Sequence, residues 1–213
     1  KKPDEFDIAL NKKIEELQIP YWYPTNELPQ GDKTSDPRNS LINHIHQFYT
    51  KRNLYTLALA IYISKKNRNG GFLFLLSSIS VHLSKMRRWQ VKKPGGTPNL
   101  PGTLFVSSIP VELSPFDSIP RKQAFIERAF YNSKYNYSLS TSSSTKLAIQ
   151  SESIDYIFLD PPFGLNLMYS ELNNIWESWI KVVTQNNVEA IKNKTQKKGI
   201  NEYRGLMKSC FLE

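Results

Sequence analysis

The chain has 213 residues, a mass of 24.6 kDa, 28 Lys and Arg against 19 Asp and Glu, and a formal charge of +9. That length fits one ordinary domain or one domain with a large insertion, and 39% hydrophobic with 12% aromatic residues excludes a disordered acidic or low-complexity chain. A single cysteine, Cys210, excludes an intramolecular disulfide framework and a cysteine-based zinc cluster, and the apolar runs are too short to span a bilayer.

Lys1-Lys2-Pro3-Asp4-Glu5 does not resemble a signal peptide, so the expectation is a basic, soluble, cytoplasmic protein. A first residue other than Met suggests a fragment or processed product.

Phe6, Leu10, Ile14 and Leu17 recur at helical spacing and predict an amphipathic helix over 4–18. Pro20, Pro24, Pro29 and Gly31-Asp32 then predict a loop, with the aromatic run 19–24 packed down onto the protein. Asp36-Pro37 marks a helix start, which places a short helix over 38–48. Leu54, Leu57, Ala58 and Ile61 predict a second helix ending near Lys65-Lys66, where cations suit the negative end of the helix dipole. Gly70-Gly71 breaks the chain before an apolar stretch, 72–83, expected as a buried helix.

Residues 103–106 read as a strand, 117–132 as a helix, and the Ser/Thr tract 138–145 as a loop. Ile154-Asp155-Tyr156-Ile157-Phe158-Leu159 is β-branched and aromatic with little alternation. That pattern predicts a central strand buried on both faces of a parallel sheet. Leu172, Ile175, Trp176, Trp179, Ile180 and Val183 predict a returning helix with the two tryptophans in the core. A basic stretch, 181–198, reads as the solvated face of a helix, and a last helix is expected over 199–212.

Positive charge favours a polyanionic partner, because each phosphate neutralised releases condensed counterions; a merely solubilising surface is the alternative. Residues 85–93 carry Lys85, Arg87, Arg88, Lys92 and Lys93 around Trp89, with no acid, and lead into Pro94-Gly95-Gly96. Cations mixed with an aromatic on such a flexible loop suit phosphate contact with base stacking, or plain solvation.

The chemistry concentrates in Asp160-Pro161-Pro162-Phe163-Gly164, at the end of the expected buried strand. Doubly wound folds bind ligands at that place. Proline lacks an N–H, so this backbone offers carbonyl acceptors without competing donors, and each proline stiffens its predecessor. One carboxylate, acceptor carbonyls and an aromatic face match a planar ring bearing an exocyclic NH2. Accepting both N–H bonds favours a tetrahedral nitrogen with its lone pair free, and stabilises positive charge developing there. A base in a duplex reaches such a pocket only by flipping out.

The Asp160–Phe163 tetrapeptide resembles motif IV of the amino-group DNA methyltransferases, which act on adenine N6 or cytosine N4. Phe48-Tyr49-Thr50-Lys51-Arg52-Asn53-Leu54, Ser84-Lys85-Met86-Arg87-Arg88, Gly102-Thr103-Leu104, Leu167–Asn173 and Trp176-Glu177 resemble the same branch, so the likeness runs from about Ile19 onward. The resemblance implies an α/β, incomplete Rossmann-like, S-adenosylmethionine-dependent fold with a largely helical insertion. It divides the chain into 1–66 (helical part of the core), 67–150 (insertion, target recognition) and 151–213 (catalytic strand, loop and helix). Asp160, Pro161, Pro162 and Phe163 become the amine-binding catalytic loop, with Asp160 also touching the cofactor, and Lys85, Arg87, Arg88, Lys92 and Lys93 contact DNA.

The implied function is site-specific methylation of adenine N6 in DNA. The alternatives are an RNA or protein amino-group methyltransferase and a non-catalytic DNA-binding specificity module. One departure stands out: no Phe-x-Gly-x-Gly turn occurs, so the cofactor motif and the strands after the last helix are expected in further N- and C-terminal parts of the same enzyme. Weak or absent cofactor binding by these residues alone follows. No metal and no membrane are expected as partners.

Other residues carry competing readings. His44 and His46 lack a third ligand nearby, so packing or hydrogen bonding is favoured over metal ligation. Tyr49, Lys51, Arg52 and Asn53 read equally as DNA or cofactor contacts and as a helix-capping cluster. Tyr169, Ser170, Glu171 and Asn173 either line the pocket or cap the helix that follows. Cys210 reads as a buried small hydrophobe.

Overall fold

Thr50 starts the central helix. Its hydroxyl accepts the Asn53 backbone N–H at 3.2 Å and caps the N-terminus of the helix Lys51–Lys66. The computed structural model describes residues 2–129, 138–140, 142–165 and 167–213, with the backbone alone at 93–95. In chain order the helices are α1 (Glu5–Glu16), α2 (Ser35–Asn39), α3 (Lys51–Lys66), α4 (Gly70–Ser80), α5 (Pro115–Ala129), α6 (Tyr169–Leu172), α7 (Asn174–Ile180) and α8 (Ile200–Leu212). The strands are β1 (Arg88–Gln90) and β2 (Lys93–Thr97).

Helix α3 buries Leu54, Leu57, Ala58 and Ile61, the one-sided stripe that its 3.6-residue period dictates. Asn67 ends it, Arg68 turns the chain at φ +52°, and Asn69 caps α4 by accepting the Phe72 N–H at 2.9 Å. α4 is apolar almost all round and is buried between α3, α5 and α7. Ile45 and Phe48, from a 3-10 turn ahead of α3, complete the core with Leu83, Met86, Leu104, Ile175 and Trp179. That core draws on residues before 66, between 67 and 150, and after 151, so the three stretches of sequence share one interior.

Several expected elements are present. The first helix, α3, α5 and α8 lie close to their predicted spans, and the 19–24 run packs against the core through Ile19, Tyr21 and Tyr23. α1, however, buries nothing, with Phe6 74% exposed. Gly70 and Gly71 open α4 rather than preceding it, because Asn69 supplies the cap. The helix expected over 38–48 is only α2 and a 3-10 turn. Leu41 adopts φ +61°, and the chain then lies beside 26–28, with Leu28 N–H donating to Asn43 O at 2.8 Å and Ile45 N–H to Asn26 O at 3.1 Å.

The coarse class, mixed α/β, holds, but helices dominate and the sheet is a two-stranded antiparallel hairpin, β1 with β2. Among the described residues there is no parallel sheet. The 154–159 run forms no strand, and Tyr156, Ile157, Phe158 and Leu159 are exposed rather than buried, because among the described residues no strand lies alongside it. Residues 103–106 form no ladder either, although Leu104 is buried. Helix α7 stops at Lys181, whose φ is +61°, so 181–198 is not a helical face. Polar side chains there satisfy the backbone locally, as Thr184 N–H donating to Glu177 at 2.9 Å does. Cys210 is half-buried.

Candidate functional site

Two contacts from distant sequence hold the acidic loop. The Tyr203 hydroxyl, on α8, donates to the Pro162 carbonyl at 2.8 Å, and the Lys192 backbone N–H donates to the Gly164 carbonyl at 3.2 Å. Gly164 has φ +64°, a left-handed conformation in which a side chain is strained. Its neighbours on either side of the loop differ in exposure: Pro161 and Pro162 are half-buried, whereas Asp160 and Phe163 are exposed, Phe163 to 76%. Pro161 lines, with Tyr203, Met207 and Phe211 of α8, an open groove of about 560 Å³. The backbone is thus tied down while the carboxylate and the ring face solvent.

Chemically, this leaves Asp160 as an acceptor without a hydrogen-bonding partner among the described residues. Tyr203 takes one lone pair of the Pro162 carbonyl and leaves the other. Neither Tyr203 nor Lys192 was predicted from sequence. They lie 41 and 28 residues beyond their partners' positions, and nothing in local spacing signals such contacts.

Downstream of the loop, three carboxylates fasten the chain. Glu171, 1% exposed, accepts the Lys33 backbone N–H at 2.6 Å and the Asn193 amide at 2.8 Å. Its carboxyl lies so close to Gly31 that a Cβ there would come within 2.1 Å of it. Ser170 donates to Glu189 through its N–H at 3.0 Å and its hydroxyl at 2.5 Å, and Glu177 takes both the N–H and the hydroxyl of Thr184. Glu171 and Ser170 are therefore anchors of the fold around the loop, and Asn173 accepts the Trp176 indole N–H at 3.3 Å. Tyr169 is 44% exposed.

The Phe48–Leu54 stretch makes contacts that hold the fold. Arg52 makes a two-point ion pair with Glu112 at 3.1 and 2.9 Å, which raises its already high pKa. The buried Asn53 amide donates to Leu83 O at 2.9 Å and Leu113 O at 3.0 Å, stitching α3 to both flanking loops. Gly102, at φ +68°, packs where a Cβ would meet Leu167 at 3.0 Å, so this turn touches the segment just after the acidic loop.

The basic stretch is not a free loop. Lys85 donates to Gln47 O at 3.0 Å, Arg87 donates to Gly96 O at 2.9 Å, and Arg88 is half-buried in β1. Gly95-Gly96 belongs to β2, and residues 109–111 lie on the other side, with Val111 N–H donating to Arg87 O at 2.8 Å. These ties turn the expected loop into a hairpin. Lys92 is exposed at its tip beside Val91, 80% exposed, and Trp89 is 42% exposed; the Lys93 side chain lies outside the described residues.

The His44 and His46 rings lie 5.6 Å apart, tilted by 43°, with the Tyr23 ring 6.0 Å from His46. Burial, then the charges of His44 and Lys85, hold His46 below its ordinary pKa. Among the described residues no three His, Cys, Asp or Glu side chains gather to hold a metal ion, and no helix is long and apolar enough to cross a membrane.

The glycines offer no cradle for S-adenosylmethionine. Gly70 and Gly71 are helical, Gly96 is in β2, and Gly102 packs on Leu167. These residues do not fit the cofactor that the motif implies. No family model, curated protein or solved structure matches the chain.

Proposed function

We propose that the Asp160–Phe163 loop is the amine-binding element of an amino-group DNA methyltransferase, a cytoplasmic protein that takes a flipped adenine, or less favourably a cytosine. The observation that carries this reading is the loop's own geometry. Tyr203 and Lys192 restrain its backbone, while Asp160 and Phe163 stay exposed to a ligand. In this reading Asp160 accepts one N–H of the exocyclic amine, a proline carbonyl accepts the other, and Phe163 stacks on the ring.

No glycine-rich turn in these 213 residues accounts for S-adenosylmethionine, so methyl transfer in this reading needs a cofactor-binding element that they do not supply. The same observation favours a second reading, a nucleic-acid-binding specificity module without catalysis. Labelled methyl transfer by the full-length protein and its Asp160→Ala variant, offered DNA, RNA and protein, separates them. Transfer to DNA that Asp160→Ala abolishes supports the proposal. Transfer confined to RNA or protein selects those substrates, and DNA binding without transfer selects the module.

A further inference from the structure

Two lysines converge on one exposed tryptophan. The Lys181 ammonium lies 4.3 Å from the Trp22 ring centroid and the Lys65 ammonium 5.3 Å from it, and Trp22 is 44% exposed. One cation is enough to satisfy the negative face of an indole. A second brings two like charges together, and no carboxylate pairs with either lysine among the described residues. The mutual repulsion is felt: burial, then the charge of Lys181, hold Lys65 below its ordinary pKa.

Local structure does not account for the pairing. Lys65 is in the last turn of α3 and Lys181 caps α7, so each gains from its own helix dipole. Those dipoles give no reason for both ammonium groups to lie over one indole. Lys181 moreover occupies the left-handed cap position, φ +61°, where glycine is the unstrained residue, and its side chain is what reaches Trp22. An anion between the lysines relieves the repulsion. Tyr21, next to Trp22 in sequence, meets the Tyr62 ring at 5.1 Å, and Tyr62 is 48% exposed on α3. Cations next to exposed rings are the ingredients of single-strand binding, backbone phosphate on the charge and base on the ring.

We infer that Trp22, Lys65 and Lys181 form a nucleic-acid contact in which a backbone phosphate lies between the two ammonium groups and the adjoining base rests on exposed aromatic surface. It shares no residue with the Asp160 loop or the β1–β2 hairpin, and does not depend on the catalytic reading.

The test is binding of an oligothymidylate of about 15 nucleotides, a length within the range one binding face covers, followed by anisotropy across a salt series. Lys65→Gln/Lys181→Gln is expected to weaken binding several-fold at low salt and to reduce the salt slope by about 0.7, the loss of one single-strand phosphate contact. Trp22→Phe should remove most of the tryptophan quenching that the oligonucleotide causes in the wild type. Arg87→Glu/Arg88→Glu, measured alongside, reports on the hairpin separately. Unchanged affinity and slope in the folded double-lysine variant, its circular dichroism matching the wild type, overturns the inference. So does inorganic phosphate binding as tightly as the oligonucleotide, which makes this a small-anion site.

Discussion

The indole N–H of Trp179 donates to the hydroxyl of Tyr49 at 3.0 Å, joining α7 to the segment before α3 across 130 residues of sequence. The rings meet edge to face, 5.5 Å apart at 80°, and both residues are buried. Burial raises the Tyr49 pKa far beyond any working pH, so the phenol stays neutral and remains an acceptor for the indole.

Trp179→Ala should therefore cost about 3–5 kcal/mol, the range for deleting a buried aromatic ring. Tyr49→Phe, which keeps the ring and strands a buried indole N–H, should cost about 1–3 kcal/mol. Urea unfolding of the two variants measures both; equal losses would mean that the hydrogen bond, rather than the ring, carries the contact.

Gly31 and Glu171 should couple. A methyl at Gly31 meets the Glu171 carboxyl at 2.1 Å, so Gly31→Ala should destabilise by about 1–3 kcal/mol through overpacking. Removing the carboxyl first makes room, and a double-mutant cycle with Glu171→Ala should show the two effects adding to less than their sum. Strict additivity would place the close approach elsewhere.

Which parts of this were legible in the sequence follows from how far each signal reaches. The stripe Leu54, Leu57, Ala58, Ile61 and the caps Thr50 and Asn69 act within one or two turns, so α3 and α4 can be read from neighbours alone. The run 154–159 shows an apolar pattern suited to a buried strand, but pairing requires a second strand, and pattern alone does not supply one. The 85–93 stretch reads as a flexible loop because Pro94, Gly95 and Gly96 follow it; the contacts of Arg87 with Gly96 and Val111 that make it a hairpin are set by tertiary structure. At the acidic loop, the residue types were legible, and the supports from Tyr203 and Lys192 were not.

Stability should fall as the solution is acidified. His46 has a pKa below its ordinary 6.5, from burial first and then from His44 and Lys85. Below 6.5 the unfolded chain takes up this proton before the folded one does, so the contribution is complete above 6.5 and is lost as pH falls through the lower folded value. His82, exposed at the surface overall, is shifted the same way, by partial desolvation and then by Lys122 and Arg87. Unfolding free energies measured between neutral pH and about pH 5 should slope less in His46→Gln than in the wild type. An unchanged slope in His46→Gln/His82→Gln assigns the acid sensitivity to other groups.

Charge reversal at Lys92, exposed at the hairpin tip, should weaken binding to all duplex sequences alike and reduce the salt slope by about 0.9, one phosphate contact. Salt-dependent anisotropy with two unrelated duplexes reads both quantities. Sequence-selective loss would make the hairpin a base reader instead.

The central claim is that Asp160 and Phe163 recognise a planar ring through its exocyclic amine, and nuclear magnetic resonance tests it without methyl transfer. Adenosine is titrated into the full chain, with inosine, which carries a carbonyl in place of the amine, as its control. The account predicts saturable shifts at Asp160 and Phe163 with adenosine, little or none with inosine, and loss of the adenosine response in Asp160→Ala. Equal responses to the two nucleosides, or an adenosine response that survives Asp160→Ala, would contradict it.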